Sequence, residues 1–238
     1  YDIVEVGGSS GGAIAATLWA SPNVENTEKS IKQFISKTLP RNNKKIINYS
    51  LIHFFRRWGL INGKYLEDLF SNTFFQDMGE AIIPLKIFVA NIQRNKQVIF
   101  SSCETPYISL PKALRATCSI PLIFDPVEIC GAKYVDGGWS TPIPMPEDDI
   151  DFVGLRIKKS RESFFTSSLI QYIQNVLYKK IEMHDRDKPF QNNIIELISK
   201  YDRTNLGKTT EEEASNIFDE GYRQMTNWIK EKENEPLK

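Results

Sequence analysis

The chain has 238 residues, 41% hydrophobic and 25% charged, which are ordinary values for a globular protein with a buried core. Thirty basic and thirty acidic residues cancel, which argues against a nucleic-acid-binding protein, because such proteins usually carry a basic excess. Three cysteines cannot all pair and none lies in a metal-binding or redox motif, so we expect a reduced, cytoplasmic compartment and no cofactor or metal. The chain shows no signal-peptide pattern and no apolar run long enough to span a bilayer, so we expect any membrane contact to be peripheral.

The predicted elements alternate between strands and helices, which indicates one α/β domain over residues 1–238. The chain opens with a strand at 3–6, a glycine-rich turn at 7–12 and a helix at 13–20. The later predictions are helices at 46–57 and 64–70 with a break at 59–63, strands at 85–92 and 97–101, a helix at 111–117, strands at 127–130, 133–135 and 152–157, and helices at 164–183, 192–201 and 211–232. Residues 160–238 are therefore predicted to form a helical C-terminal part.

The glycine-rich turn contains a Gly-x-Ser-x-Gly motif between a strand and a helix of small residues. In this context the motif predicts a nucleophile elbow, a tight turn that exposes a serine hydroxyl above the helix N-terminus. There the helix dipole and free N–H groups favour a developing negative charge. The bare motif is weak, because it also fits a plain strand-to-helix turn or a phosphate cradle.

Two registers satisfy this motif. Gly7 and Gly11 flank Ser9, whereas Gly8 and Gly12 flank Ser10. Local sterics do not separate the two registers, because each serine has glycine at both required positions.

A second block begins at Arg115-Ala116-Thr117 and continues through Ile120-Pro121-Leu122-Ile123-Phe124-Asp125-Pro126 to Asp136-Gly137-Gly138. An Asp-Gly-Gly alone is usually only a turn. In this order, and about 120 residues after the elbow, the block resembles that of patatin-like phospholipases. The resemblance covers roughly residues 2–157.

The resemblance implies a three-layer α/β/α fold with a central, mostly parallel sheet. It also implies a serine–aspartate dyad without histidine, in which Asp136 is the general base and Gly137 and Gly138 shape the supporting turn. In this family the Gly-x-Ser-x-Gly is usually followed by a small residue and then an apolar one, which favours Ser10, with Ala13 and Ile14 after the motif, over Ser9 as nucleophile. Gly8, Gly11 and Gly12 then complete the elbow, and the N–H of Gly11 is an expected oxyanion donor.

The implied activity is hydrolysis of fatty-acyl esters in a lipid or phospholipid through an acyl-enzyme. Two alternatives remain at this point, an acyltransferase that uses the same dyad and a catalytically silent module that binds lipid or a protein partner. The second is motivated by the absence from the chain of the family's upstream glycine-rich strand–loop, which supplies oxyanion donors. Pro142 also stands where relatives often carry asparagine.

Several aromatic residues between 54 and 75 occur at helical spacing, which is more often typical of a core than of a membrane-contacting surface. They are Phe54, Phe55, Trp58, Phe70, Phe74 and Phe75. The neighbouring basic pair, Arg56 and Arg57, could meet anionic lipid headgroups, although a solvated face is the expectation. The acidic residues Asp148, Asp149 and Asp151 lack the glycine of a calcium loop and are expected to lie in a solvated loop.

Overall fold

The fold is taken from a computed structural model, which describes residues 2–22, 51–140, 152–159, 194–199 and 211–233. None of the described helices is both long and apolar enough to pass through a bilayer. The strands are β1 (Val6–Gly8), β2 (Gly59–Ile61), β3 (Leu85–Asn91), β4 (Lys96–Ser101), β5 (Leu122–Phe124), β6 (Val127–Ile129), β7 (Ala132–Asp136), β8 (Gly154–Lys159) and β9 (Ile194–Ser199). The helices are α1 (Gly11–Trp19), α2 (Leu51–Arg57), α3 (Lys64–Ser71), α4 (Leu110–Thr117) and α5 (Glu211–Glu233), with short 3₁₀ helices at Met78–Glu80 and Gly137–Trp139.

Strand β3 is the centre of a five-stranded sheet. Strand β4 pairs antiparallel with β3 along one edge, from Lys86 to Asn91. The other edge of β3 is shared, because β1 pairs parallel with its first three residues and β7 pairs antiparallel with its last three. Strands β1 and β7 therefore run toward each other, and their carboxyl ends meet on either side of Phe88. The predicted α/β class is confirmed, and the described sheet is mixed, with β6 completing it beside β7.

The core lies between this sheet and helices α1, α3 and α4. Strand β3 is buried at six of its seven residues, as expected for a central strand covered on both faces. Helix α4 packs on β3 and β7, and α1 packs on β1 and β3. The largest fully buried side chains include Phe70, Leu85, Ile87, Leu110 and Leu114. The two helices that flank the ends of β1 and β7 are thus fixed by the main core.

Three sequence predictions are corrected. Residues 194–199, predicted as helix, form strand β9 parallel to β8, because a short apolar run rich in β-branched isoleucine fits a pleated strand better than a helix. The predicted break at 59–63 contains β2, which pairs with β5. The first strand is shifted from 3–6 to Val6–Gly8, since backbone pairing with β3 decides its position. The helix predicted at 164–183 lies outside the described residues.

A buried ion pair fixes the loop between α4 and β6. Arg115 in α4 is 4% exposed, and its guanidinium donates to Asp125 at 2.5 Å and to the hydroxyl of Ser119 at 2.5 Å. The carboxylate of Asp125 also accepts from the backbone N–H of Gly63 at 3.0 Å. A Cβ at Gly63 would overlap the guanidinium, so a larger residue at this position would displace Arg115 from its partners. This network ties α4, β5 and the start of α3 together.

We expect Asp125→Ala to lower the free energy of unfolding by about 3–5 kcal/mol, because it leaves the Arg115 charge buried without its partner. The control is Asp68→Ala, which breaks an ion pair with Lys64 whose two side chains are each 60% exposed. That change should cost under about 1 kcal/mol. Urea denaturation of the two variants measures both values, and equal losses would contradict a structural role for the buried pair.

Candidate active site

Ser10 lies at the apex of the turn between β1 and α1. Its backbone has φ 52° and ψ −125°, a left-handed conformation that is uncommon outside glycine and stores strain. The carbonyl of Ser9 accepts from the N–H of Gly12 at 2.9 Å, so the chain enters helix α1 directly after the serine. The Ser10 hydroxyl is thereby held at the helix N-terminus.

The glycines of the motif differ in their surroundings. A Cβ at Gly8 would overlap the backbone of Gly12, so Gly8 admits no side chain. A Cβ at Gly11 or at Gly12 would meet nothing within 4 Å. Each register thus pairs one glycine in close contact with one that faces open space, and the sterics of the turn do not separate Ser9 from Ser10.

The strained residue is fastened by Thr117, the last residue of α4. The backbone N–H of Ser10 donates to the Thr117 hydroxyl at 2.9 Å, and that hydroxyl donates to the carbonyl of Phe88 at 2.7 Å. Thr117 is fully buried. One side chain thus bridges the elbow to the point on β3 where β1 and β7 meet.

Asp136 ends β7 on the other side of that point. Its backbone N–H donates to the carbonyl of Ser119 at 3.0 Å, and its carboxylate accepts from the N–H of Gly138 at 2.8 Å. A Cβ at Gly137 would overlap the Phe88 carbonyl and lie 3.1 Å from the Cβ of Ser9. The Asp-Gly-Gly turn therefore packs directly against the elbow, and the sequence-predicted residues on both turns come together.

The Asp136 carboxyl is 8% exposed, and burial raises its pKa from 3.8 to about 6. Hydrogen bonds from the Gly138 N–H and the Ser10 side chain act in the opposite direction, because they favour the charged form. A carboxylate with a pKa near neutrality that contacts a serine hydroxyl can accept the proton of that hydroxyl.

Two neighbours of Ser10 and Asp136 were not among the predicted site residues. Thr117 holds the elbow, and the Cys118 thiol lies beside the Ser10 side chain. Burial raises the pKa of Cys118, and the Asp136 carboxylate raises it further, so the thiol stays neutral. Both residues follow Arg115-Ala116 in the second block, and their position at the C-terminal end of a helix that precedes the Asp-Gly-Gly is the signal that could have found them.

The histidines His53 and His184 have no predicted catalytic role. His53 is in α2, and His184, Pro142 and the acidic residues at 148, 149 and 151 lie outside the described residues. A polar cavity of about 270 Å³ is lined by residues that include Arg57, Lys112 and Arg115, and by neither Ser10 nor Asp136. The space next to Ser10 is instead the open face of Gly11 and Gly12, which are both exposed.

Comparisons with known proteins agree with this architecture. A sequence model of the family described as patatin-like phospholipase matches residues 1–148. An uncharacterized protein, R571 of Acanthamoeba polyphaga mimivirus, is 28% identical over 163 residues, which cover 63% of this chain and 52% of that protein. The crystal structure of VipD from Legionella pneumophila superposes with a TM-score of 0.56 at 13% identity, over 96% of this chain and 61% of VipD. The likeness to VipD shows the fold alone, and the chain spans only about half to three fifths of the length of these two proteins.

We expect Thr117→Val to lower the free energy of unfolding by about 1–3 kcal/mol, because it leaves the Ser10 N–H and the Phe88 carbonyl without the hydroxyl that joins them. Thr117→Ser keeps the hydroxyl and should lose much less. The two variants are compared by urea denaturation, with amide hydrogen exchange at Ser10 as the local readout.

The matched control is Thr17→Val. Thr17 is as fully buried as Thr117, but its hydroxyl has no hydrogen-bond partner among the described residues. Replacing that hydroxyl by a methyl group should be neutral or stabilising. If Thr17→Val lowers the free energy of unfolding as much as Thr117→Val does, valine is a poor fit at both positions and the hydrogen-bonded bridge makes no specific contribution to stability.

Proposed function

Because the chain belongs to the patatin-like phospholipase family, we propose that it hydrolyses fatty-acyl esters of lipids with Ser10 as nucleophile and Asp136 as general base. The observation that carries this proposal is the packing of the Asp-Gly-Gly turn against the elbow, which sets the buried Asp136 carboxyl beside the Ser10 side chain. Burial raises the pKa of that carboxyl to about 6. Lipid acyl hydrolysis is the activity of the family. Our proposal is that Ser10 and Asp136 form the catalytic dyad in this chain.

In the first step the Ser10 hydroxyl oxygen attacks the ester carbonyl carbon while Asp136 accepts the hydroxyl proton. The tetrahedral intermediate then expels the alcohol, which takes that proton from Asp136, and leaves an acyl ester on Ser10. In the second step water attacks the acyl carbonyl and gives a proton to Asp136. Collapse of this intermediate returns the proton to Ser10 and releases the fatty acid.

The developing oxyanion would lie above the N-terminus of α1. The N–H of Gly11 has no hydrogen-bond acceptor among the described residues, so it is free to donate to the substrate. The dipole of α1 adds to this stabilisation, because the helix begins at Gly11. The open space around Gly11 and Gly12 leaves room for an acyl chain to approach from solvent.

We expect Ser10→Ala to lower the hydrolysis of a chromogenic short-chain ester by on the order of 10³-fold or more, because it removes the nucleophile. Asp136→Asn should cause a similar loss, since an amide cannot accept the proton. Ser9→Ala is the matched control and should keep activity within about threefold. The same panel is assayed on phospholipid vesicles.

Covalent labelling identifies the nucleophile independently of turnover. A fluorophosphonate probe should modify the wild-type chain once, and peptide mass spectrometry should place the adduct on Ser10. An adduct on Ser9 would reverse the register. A folded wild-type chain that neither hydrolyses any ester tried nor reacts with the probe would favour a silent lipid-binding module.

The pKa of Asp136 predicts a pH dependence. The base must be ionised, so kcat/KM should rise about tenfold per pH unit up to about pH 6 and then level off. The profile is measured with the chromogenic ester. A midpoint near the ordinary carboxyl pKa would contradict the role of burial at this site.

The same shift makes a stability prediction with a fixed sign. Because the folded pKa lies above 3.8, folding favours the neutral carboxyl, and ionisation of Asp136 costs stability progressively from about pH 4 to about pH 6. Asp136→Asn should therefore raise the free energy of unfolding by up to about 3 kcal/mol above pH 6 and by little below about pH 4. Urea denaturation at several pH values tests this, and a variant less stable than wild type at every pH would overturn it.

A further inference from the structure

Two of the six aromatic residues that the sequence assigned to the core are exposed. Phe70, Phe74 and Phe75 are buried as predicted, and Phe54 is half-buried. Phe55 is 74% exposed and Trp58 is 54% exposed. The core prediction is therefore wrong for two large apolar side chains, and these two occur at the end of one short helix, α2.

Leu122 extends this apolar surface. It is 45% exposed and lies opposite Gly59, the residue that follows Trp58, in the pairing of β2 with β5. Trp58 and Leu122 have φ values of 64° and 68°, so both adopt the left-handed conformation that bulky residues rarely take. Trp58 and Leu122 thus expose large apolar side chains to solvent while their backbones adopt a strained conformation. Strain of this kind persists where the surrounding structure imposes it, and it clusters at functional positions.

Basic side chains surround these apolar groups. The ammonium group of Lys133 lies 4.5 Å from the centre of the Trp58 ring, and Arg56 and Arg57 lie on α2 between Phe55 and Trp58. Both arginines are exposed, and neither forms an ion pair with a described residue. The acid closest in the sheet is Glu128, which is opposite Lys133 in the pairing of β6 with β7. The exposed aromatic groups are therefore flanked by three cations, of which Arg57 also lines a polar cavity together with Glu67, Asp125 and Glu128.

We propose that this basic aromatic surface, formed by Phe55, Arg56, Arg57, Trp58, Leu122 and Lys133, docks the protein on an anionic lipid membrane. Tryptophan and phenylalanine side chains insert at the headgroup level of a bilayer, and adjacent lysine and arginine side chains bind its anionic headgroups. A flat acidic protein surface would match the positive charges, but it would leave the exposed side chains of Trp58 and Leu122 without an apolar environment. The membrane is the occupant that uses both features.

The surface is also close to the dyad along the chain. Lys133 precedes Asp136 by three residues in β7, which places their Cα atoms about 10 Å apart. Leu122 is three residues beyond Ser119, whose carbonyl accepts from the Asp136 N–H. This proposal rests on the proposed function to the extent that a lipid substrate would be met in the membrane. Binding itself can be measured without catalysis.

The test is co-sedimentation of the full chain with vesicles, in a Ser10→Ala background so that no lipid is consumed. Vesicles of pure phosphatidylcholine are compared with vesicles of equal parts phosphatidylcholine and phosphatidylserine. The Phe55→Ala/Trp58→Ala double variant should bind the anionic vesicles about tenfold or more weakly. Arg56→Gln/Arg57→Gln should weaken binding about 10- to 30-fold, and should leave little difference between the two lipid compositions.

Trp19→Ala is the matched control, because Trp19 is 52% exposed and belongs to α1 outside this surface. It should bind vesicles as the parent does. In a chain with Ser10 intact, the Phe55→Ala/Trp58→Ala change should leave hydrolysis of the soluble ester within about twofold and lower hydrolysis of vesicle lipid about tenfold. The soluble ester thus reports on folding and on the dyad separately from docking.

The outcomes separate the two proposals. If the wild type cleaves no ester but the surface variants lose vesicle binding, the membrane surface stands and the proposed hydrolase does not. If ester hydrolysis is intact and the surface variants bind vesicles as the parent does, docking through this surface is overturned. Absence of binding to either vesicle by the parent chain would overturn it as well.

Discussion

Strands β1 and β7 share one edge of β3 and run toward each other, and this arrangement determines the geometry of the candidate site. Strand β1 ends opposite Ile87 and β7 ends opposite Val89, so only Phe88 separates the two carboxyl ends. The elbow and the Asp-Gly-Gly turn must therefore share a narrow space. This close approach explains why Gly137 admits no Cβ. The Phe88 carbonyl lies in the gap between β1 and β7, and it accepts a hydrogen bond from the Thr117 hydroxyl.

Two aspartates near this junction have contrasting environments. Asp125 meets the guanidinium of Arg115 and the N–H of Gly63, so its charge is matched inside the protein. Among the described residues, the Asp136 carboxylate accepts from the Gly138 N–H and lies beside the Ser10 side chain, both of them uncharged, and burial dominates its pKa. The matched pair stabilises the loop that carries Ser119, and Ser119 in turn holds the backbone of Asp136. The stabilising ion pair of Asp125 thus helps to hold Asp136 in a buried environment that disfavours its charge and makes its carboxylate more basic.

The sequence was most informative where a motif and a strong periodicity coincide. Strand β3 is apolar at every residue except Lys86 and Asn91, and α4 has proline in its first turn, so both were predicted to within about one residue. The proximity of Ser10 and Asp136 was expected from the family resemblance and not from local patterns, because it depends on two strands pairing with the same edge of a third. Strand β9 was missed because a six-residue apolar run does not reveal its pairing partner. The exposure of Phe55 and Trp58 was missed because helical spacing shows that residues share a face, but not whether that face is covered.

The bridge from Ser10 to Thr117 also bears on how the chain is made. The two residues are 107 positions apart, so this contact belongs to the long-range class that forms late, after loop-closure entropy has been overcome. During synthesis the elbow segment leaves the ribosome before Thr117 and Asp136 do. The strained backbone of Ser10 therefore lacks the hydroxyl that holds it until Thr117 has been added, 107 positions further along the chain. The native conformation of the elbow is in this way coupled to the folding of a distant segment.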